Sequence, residues 1–216
     1  MKLYRFASSL LYGAIAGIYD VLDVALFRPP ERNPRMGLAR ALSPEIRSVI
    51  DLCTGTGASS LAIAKSDEAR RVVGVDLSTN MLGIASRKAE KAKVRNIELR
   101  RMDATATDFP SASFDAVTTS LSLHELPLGL RDRLMREMRR LVADHGRLYI
   151  IEWERPRRGL ARSMFGIFPM LVEPRGFREF LSLDWEDFLS KYGFELVQSE
   201  SFSFTRLLIA RVIEEQ

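Results

Sequence analysis

Short, almost continuous apolar runs alternate along most of the chain with stretches in which apolar residues recur at helical spacing. The first pattern predicts buried strands, and the second predicts helices that pack one face on them. The predicted strands are 49–53, 71–76, 97–102, 114–120 and 147–153, and the predicted helices are 58–65, 80–93 and 128–142. Strands and helices that alternate in this way predict a parallel, doubly wound α/β sheet.

The end of the chain breaks this alternation. Residues 185–192 have helical spacing, and two further strands, 194–202 and 205–213, are separated by a very short turn. Only a hairpin allows so short a link, so the last strand is predicted to run antiparallel. The segment ADHGR around His145 is predicted to be a structural turn.

The amino-terminal region is apolar but lacks the features of an export signal. Lys2 and Arg5 precede an apolar stretch at 6–19, which no small-residue cleavage motif follows. The stretch is shorter than the ~20 residues of a membrane span. Its helical spacing predicts one or two amphipathic helices that end before Pro29 and Pro30, with packing on the core favoured over membrane contact.

Composition narrows the class of protein. A chain of 216 residues with 46% hydrophobic and 28% charged residues is typical of a single globular domain. Its one cysteine, Cys53, excludes an intramolecular disulfide and a cysteine zinc cluster, which favours the cytoplasm. The net charge of +4 is compatible with an anionic membrane surface or nucleic acid, but it is more typical of a solvated face.

Glycine and acidic residues mark the ends of the first predicted strands. Asp51, Gly55 and Gly57 close the first strand, Asp76 closes the second, and Asp103 closes the third. Ligands of doubly wound sheets bind beyond the carboxyl ends of the strands, so these side chains should meet at one edge. An acid at the end of the second strand can accept hydrogen bonds from two ribose hydroxyls, which predicts a nucleoside-containing ligand.

The glycine loop separates two classes of such ligand. The dinucleotide fingerprint needs a third glycine where a helix starts against a pyrophosphate, and this chain has Ser60 there. Asp51 would repel a pyrophosphate but would suit an ammonium group. A ligand with adenosine at one end and an amino acid at the other meets both conditions. S-adenosylmethionine is therefore the predicted cofactor, and no metal is expected.

Four segments together resemble the seven-stranded S-adenosylmethionine-dependent methyltransferases. They are DLCTGTG, VVGVDLSTNML, RMDATATDFPSASFDAVTTSLSLHEL and REMRRLVADHGRLYIIEWERP. The segment EWERP at 152–156 and the amino-terminal IAGIYDVLD are most similar to the C-methyltransferases of ubiquinone and menaquinone biosynthesis. The resemblance implies a Rossmann-like sheet of strand order 3-2-1-4-5-7-6 with the last strand antiparallel. Cys53 stands where this family commonly has glycine.

The resemblance also implies which residues hold the cofactor. Asp51, Gly55 and Gly57 would surround its methionine part, while Asp76 would take the ribose hydroxyls with Leu77 beside it.

Further cofactor contacts follow from the same resemblance. Met81 would flank the adenine, and Asp103 with the backbone of Ala104 would meet the adenine edge. Ser120 would lie near the sulfonium, and Tyr19 would close the pocket from the amino-terminal helix.

The expected chemistry is a direct displacement, in which the protein aligns donor and acceptor and excludes water. A phenolic acceptor, with an ordinary pKa of ~10, needs help to lose its proton at neutral pH. His124 and Glu125 lie just past the fourth strand and are the candidate catalytic residues. The alternative for His124 is a hydrogen bond to a loop carbonyl.

The single domain is predicted to have four parts: an amino-terminal helical cap, a cofactor-binding core, a substrate-lid insertion, and a final helix with a hairpin, at 1–46, 47–154, 155–183 and 184–216. The insertion carries the apolar stretch MFGIFPMLV between groups of arginines. Phe165, Phe168 and Arg175 are its candidate substrate contacts, and a lid over a lipophilic acceptor is favoured over an ordinary helical excursion.

Three functions remain open from the sequence. The first is methylation of a ring carbon of a quinol or related lipophilic aromatic, by a cytoplasmic enzyme at the periphery of the membrane. The second is N-methylation of a phospholipid or small amine, and the third is a non-catalytic S-adenosylmethionine-binding module. Nucleic acid is not an expected partner, since SLHELP stands where an amino-methylating enzyme would carry Asn/Asp-Pro-Pro-aromatic. The oligomeric state is open, with a homodimer among the alternatives.

Overall fold

The computed structural model of the protein describes residues 33–155 and 177–214. The strands are β1 (Ser48–Leu52), β2 (Arg71–Asp76), β3 (Ile97–Arg101), β4 (Phe114–Ser120), β5 (Val142–Trp153), β6 (Phe194–Ser201) and β7 (Thr205–Val212). The helices are α1 (Pro34–Ala41), α2 (Ala58–Ser66), α3 (Thr79–Lys91), α4 (Leu128–Leu141), α5 (Phe177–Phe180) and α6 (Trp185–Ser190). A 3-10 turn, Leu123–Glu125, follows β4.

The described strands form one sheet in the order β3-β2-β1-β4-β5-β7-β6. Neighbours from β3 to β5 are parallel, and β7 is antiparallel to both β5 and β6. The predicted α/β class, strand order and antiparallel last strand are confirmed. The order reverses between β1 and β4, so the carboxyl ends of these two strands flank the crevice where a ligand is expected.

Each face of the sheet carries its own apolar layer. Val49 and Ile50 are both fully buried, but they point to opposite faces because side chains alternate along a strand. Ile50 belongs to a cluster with residues of α4 and α6, and Val49 belongs to one with residues of α1 and α2. Two covered faces explain why the inner strands are almost continuously apolar.

Helix α1 lies within the predicted amino-terminal helical cap at 1–46 but begins after Pro29 and Pro30, where the helices of the cap were predicted to end. The side chain of Asn33 caps it by accepting a hydrogen bond from the amide of Arg35 at 3.0 Å, and Pro34 fills the first turn. Proline suits this place because the first amides of a helix have no intrahelical partner. The predicted helices before Pro29 lie outside the described residues.

Strand β5 begins earlier than predicted, at Val142 instead of residue 147. Val142 pairs with Phe114, and the register shifts before Ala116 pairs with Arg147. The prediction of a turn around His145 was therefore wrong, since this residue lies within β5. The polar, glycine-containing segment that suggested a turn is an irregular part of the strand.

No helix among residues 33–155 and 177–214 is both long and apolar enough to cross a membrane.

Candidate functional site

The loop between β1 and α2 turns tightly around two glycines. Gly55 and Gly57 have φ of +56° and +78°, values that glycine adopts without strain. A Cβ on Gly57 would lie 2.8 Å from the Cβ of Ala85, so this glycine allows α2 and α3 to approach. A Cβ on Gly55 would have nothing within 4 Å, so the backbone there borders open space at the carboxyl end of β1.

Cys53, in the same loop, also has a positive φ of +59°. This conformation explains why glycine is common at this position in the family that the sequence resembles. Burial, and then the carboxylates of Asp76 and Asp51, raise the pKa of the thiol well above its usual value. The thiol therefore stays protonated at neutral pH.

We expect glycine to be more stabilising than alanine at residue 53. A side chain with a Cβ costs about 1–2 kcal/mol in the left-handed region, which outweighs the ~0.5–1 kcal/mol by which glycine usually destabilises. Cys53→Gly should exceed Cys53→Ala in free energy of unfolding by about 0.5–1 kcal/mol, measured in urea. An alanine variant that is as stable as the glycine variant would contradict a strained loop.

Asp51, at the end of β1, is buried beneath the glycine loop. One carboxylate oxygen accepts hydrogen bonds from the hydroxyls of Thr54 and Ser60 at 2.7 and 2.6 Å, and the other accepts one from Thr118 at 2.8 Å. Burial raises the pKa of Asp51, although these three hydrogen bonds oppose the shift. Asp51 thus ties β1, β4 and α2 together, and its contact with the methionine part of a cofactor stays a prediction.

Asp76, at the end of β2, accepts one amide hydrogen bond on each carboxylate oxygen. Gly55 donates at 2.9 Å and Ser78 at 2.8 Å. Burial raises the pKa of Asp76, opposed by these amides. A carboxylate has about four acceptor sites, so Asp76 can still accept two hydroxyl groups of a ribose. Leu77 lies beside it and is partly exposed.

The residues predicted to contact adenine lie in helix α3, after β2, and in the loop after β3. Met81 is buried in the first turn of α3, which the Ser78 side chain caps at 3.3 Å. After β3, one oxygen of Asp103 accepts from the amide and hydroxyl of Thr105 at 3.0 and 2.9 Å, and Ala104 is buried. These residues are therefore placed at the same edge of the sheet as Asp76.

Ser120 ends β4, beside the end of β1. Its hydroxyl oxygen is buried, and no hydrogen-bond partner for it is found among the described residues. A buried hydroxyl without a partner is unfavourable in the free protein and suits a polar ligand. Together with the open space at Gly55 and the acceptor capacity of Asp76, it fits the predicted S-adenosylmethionine.

A buried network follows β4. The imidazole of His124 is 2% exposed, with Nδ1 2.8 Å from Oε2 of the fully buried Glu152. The indole Nε1 of Trp153 donates to Nε2 of His124 at 3.2 Å. Because an indole N–H can only donate, Nε2 is the acceptor and Nδ1 carries the proton that is donated to Glu152. These partners of His124 are a carboxylate and an indole instead of the loop carbonyl considered as the alternative.

The role of His124 as a base stays a prediction, since Nε2 would first have to exchange the indole N–H for an acceptor hydroxyl. Glu125 is partly exposed, and its Oε1 lies 3.8 Å from His124 Nε2.

Glu152 also holds the backbone of the loop after β4. Its Oε1 accepts from the amides of Ser122 and Leu123 at 2.9 and 2.7 Å. The sequence analysis quoted Glu152 only as part of the segment EWERP and gave it no role of its own. The signal was a carboxylate directly after the apolar run 148–151, because an ionised side chain in a buried strand must have hydrogen-bonding partners.

Arg131 of α4 lies on the other side of this loop. Its Nε donates to the carbonyl of Leu123 at 2.9 Å, and its Nη2 donates to that of Leu126 at 3.2 Å. Burial lowers the pKa of Arg131, while the carboxylate of Glu152 opposes the shift. The guanidinium also faces the ring of Phe180, with 4.7 Å between its Cζ and the ring centroid.

Four of the predicted site residues lie outside the described residues. They are Tyr19, Phe165, Phe168 and Arg175. The described end of the predicted lid insertion is α5, and its Phe177 and Phe180 rings lie 5.6 and 6.0 Å from the imidazole of His124.

Comparison with known proteins identifies the family. Residues 49–146 match a family model described as a methyltransferase domain. A demethylmenaquinone methyltransferase of Thermus thermophilus is 32% identical over 167 residues, which are 76% of this chain and 74% of that protein. One from Deinococcus radiodurans is also 32% identical, over 76% of this chain and 68% of that protein.

A solved structure shares the fold. An S-adenosylmethionine-dependent methyltransferase from Aquifex aeolicus superposes with a TM-score of 0.64 at 18% identity, over 89% of this chain and 98% of that one. The chain therefore belongs to the class I S-adenosylmethionine-dependent methyltransferases, near the quinone C-methyltransferases, and S-adenosylmethionine is its cofactor.

Proposed function

We propose that the methyl acceptor is a ring carbon of a quinol or a related lipophilic aromatic. The observation that carries this proposal is the 32% identity, across three quarters of the chain, to a protein named demethylmenaquinone methyltransferase. The apolar and aromatic surroundings of the loop after β4 are consistent with such an acceptor. The ring centroids of Phe177, Phe180 and Trp153 lie 5.6, 6.0 and 6.2 Å from that of the His124 imidazole.

The cofactor, when bound, supplies an electrophilic methyl group and a neutral thioether as leaving group. Asp76 would hold the ribose, and the open backbone at Gly55 would allow close approach. The hydroxyl of Ser120 would hydrogen-bond a polar group of the cofactor beside β4. Because these groups lie at strand ends, the protein would contribute to the rate mainly by aligning the methyl donor with the acceptor.

On the acceptor side, a ring carbon becomes nucleophilic when a neighbouring phenolic hydroxyl loses its proton. After that carbon has taken the methyl group, its own hydrogen leaves as a proton to solvent, which restores the aromatic ring with its oxygen as a phenolate that is then protonated. His124 Nε2 is the proposed acceptor of that proton, and Glu152 would hold the resulting imidazolium through Nδ1. Glu125, 3.8 Å from Nε2, would add a second negative charge close to it. The hydroxyl would take the place that the Trp153 indole N–H occupies in the structure.

The acceptor is tested by incubating the purified protein and S-adenosylmethionine with a demethylated menaquinol in detergent micelles. We expect a product in which a methyl group replaces one ring hydrogen, a mass gain of one CH2 unit, with NMR placing that methyl group on the quinone ring carbon. Phosphatidylethanolamine and a small primary amine serve as competing acceptors in parallel reactions. Methylation of either amine without methylation of the quinol would overturn the proposal and favour N-methylation.

A further inference from the structure

The loop after β4 is held from both sides by buried charged side chains. Glu152 accepts from two of its amides, at 2.9 and 2.7 Å. Arg131 donates to two of its carbonyls, at 2.9 and 3.2 Å. Glu152 binds N–H groups of the loop and Arg131 binds its C=O groups, so together they fix the orientation of the peptide planes of the loop. His124 is part of this loop, so its position depends on both.

Arg131 of α4 also contacts helix α5, in addition to the direct ring contacts of α5 with His124. Its guanidinium lies over Phe180, a ring that is only 2% exposed. Phe180 and Phe177 in turn contact the imidazole of His124. A guanidinium removed from water and placed over an aromatic ring is attracted to it more strongly than one at the surface. One buried cation therefore joins the loop that carries His124 to the described end of the lid insertion.

We propose that Arg131 is a positioning residue for the methyl acceptor, which docks α5 on the loop after β4 and so sets one aromatic wall of the acceptor site. This inference rests on the proposed function, because it takes the acceptor to lie beside His124. Arg131 contacts neither acceptor nor cofactor in this arrangement and acts through Phe180 and Leu123. Lysine cannot substitute for it, since an ammonium lacks the planar fork that reaches two carbonyls while facing a ring.

The first test is Arg131→Lys, which keeps the charge. We expect the KM for the quinol to rise about tenfold, the scale of one buried cation–π contact with its hydrogen bonds. The kcat and the cofactor Kd should change by less than about threefold, since the residues facing the cofactor are untouched. A variant whose quinol KM stays at the wild-type value would overturn the proposal, and so would an equal rise in cofactor Kd.

Arg136→Lys is the matched control. Arg136 lies on the same helix but on its exposed side, where it pairs with Asp132 at 3.0 Å and faces Tyr192 at 5.9 Å. It also combines an ion pair with a ring contact, but at the surface, so its replacement should leave both KM values and the kcat unchanged.

A double-mutant cycle separates positioning from a general loss of stability. Phe180→Leu removes the ring and keeps an apolar side chain, and it should raise the quinol KM by a similar factor. Because the two residues act through one contact, the double variant should show little more than either single change. Factors that multiply in the double variant would show that Arg131 does not act through Phe180.

Hydrogen exchange tests the docking without any acceptor. In the free protein, Arg131→Lys should speed exchange of the amides at 177–183 and leave those of β1 and β2 unchanged. If the amides at 177–183 exchange faster in Arg131→Lys but the wild-type protein does not methylate quinols, the docking role of Arg131 is supported and the proposed acceptor is wrong. If Arg131→Lys leaves exchange at 177–183 unchanged, the docking role is wrong even when quinol methylation is confirmed.

Discussion

Replacing Asp76 with alanine is expected to weaken S-adenosylmethionine binding by about two orders of magnitude. The carboxylate can accept two ribose hydroxyls, and a hydrogen bond to a charged group is worth about 1.5–3 kcal/mol. A net loss of about 3 kcal/mol corresponds to roughly a hundredfold in Kd. Isothermal titration with S-adenosylmethionine and with its demethylated product should show the loss for both ligands, because both carry the same ribose.

Asp76→Ala requires a control for damage to the neighbouring loop, since the same carboxylate accepts hydrogen bonds from the amides of Gly55 and Ser78. Asp108→Ala removes an exposed carboxylate, 73% accessible, and should leave both binding and stability unchanged. Thermal unfolding of Asp76→Ala shows whether the variant is folded at the titration temperature. A folded Asp76→Ala protein with wild-type affinity would contradict the assignment of the ribose site to β2.

The pH dependence of cofactor binding gives a second measurement on Asp76. Only the ionised carboxyl accepts from both hydroxyls, so affinity should fall as the pH is lowered and the group is protonated. Since burial raises the pKa of Asp76, this loss should begin at a higher pH than it would for an exposed aspartate. Titrations across the acid range should show the fall in the wild type, and Asp76→Ala should lack that component.

Local pattern was enough to predict the sheet and the acidic strand ends that meet at one of its edges. Strand ends coincide with glycine or acidic residues, and in a parallel sheet all such ends come to one edge. Asp51, Asp76 and Asp103 were therefore placed correctly at this edge from spacing alone. Helix α1 carries a similar local signal in Asn33 and Pro34, but the preceding Pro29 and Pro30 predict an end to the amino-terminal helices.

The side-chain networks could not be predicted, because they depend on pairing between distant segments. Asp51 faces Thr118 across the β1–β4 ladder although the two are 67 positions apart in the chain. Glu152 meets His124 only because β5 lies beside β4 in a register that pairs Ser120 with Ile151. A shift of one residue would turn each carboxylate to the opposite face of the sheet.

Replacing His124 with glutamine is expected to lower the single-turnover rate on a demethylated quinol by about a hundredfold, the usual scale for a positioned base. Glutamine can still donate to Glu152, so the loop after β4 and the cofactor Kd should be retained. Rapid-quench measurements with saturating cofactor isolate the chemical step.

Two further variants decide between a base and a purely structural imidazole. His145→Gln changes the other histidine, which is exposed on β5, and should keep the full rate.

Trp153→Phe keeps an aromatic ring but removes the N–H that occupies His124 Nε2. If Nε2 takes the acceptor proton, this variant should keep or exceed the wild-type rate, because the competing donor is gone. If the imidazole serves only to hold Trp153 and Glu152 together, Trp153→Phe should slow turnover as His124→Gln does. If His124→Gln keeps the full rate, His124 is not the general base. That result is expected for an amine acceptor or for a quinol that loses its proton without help from the protein.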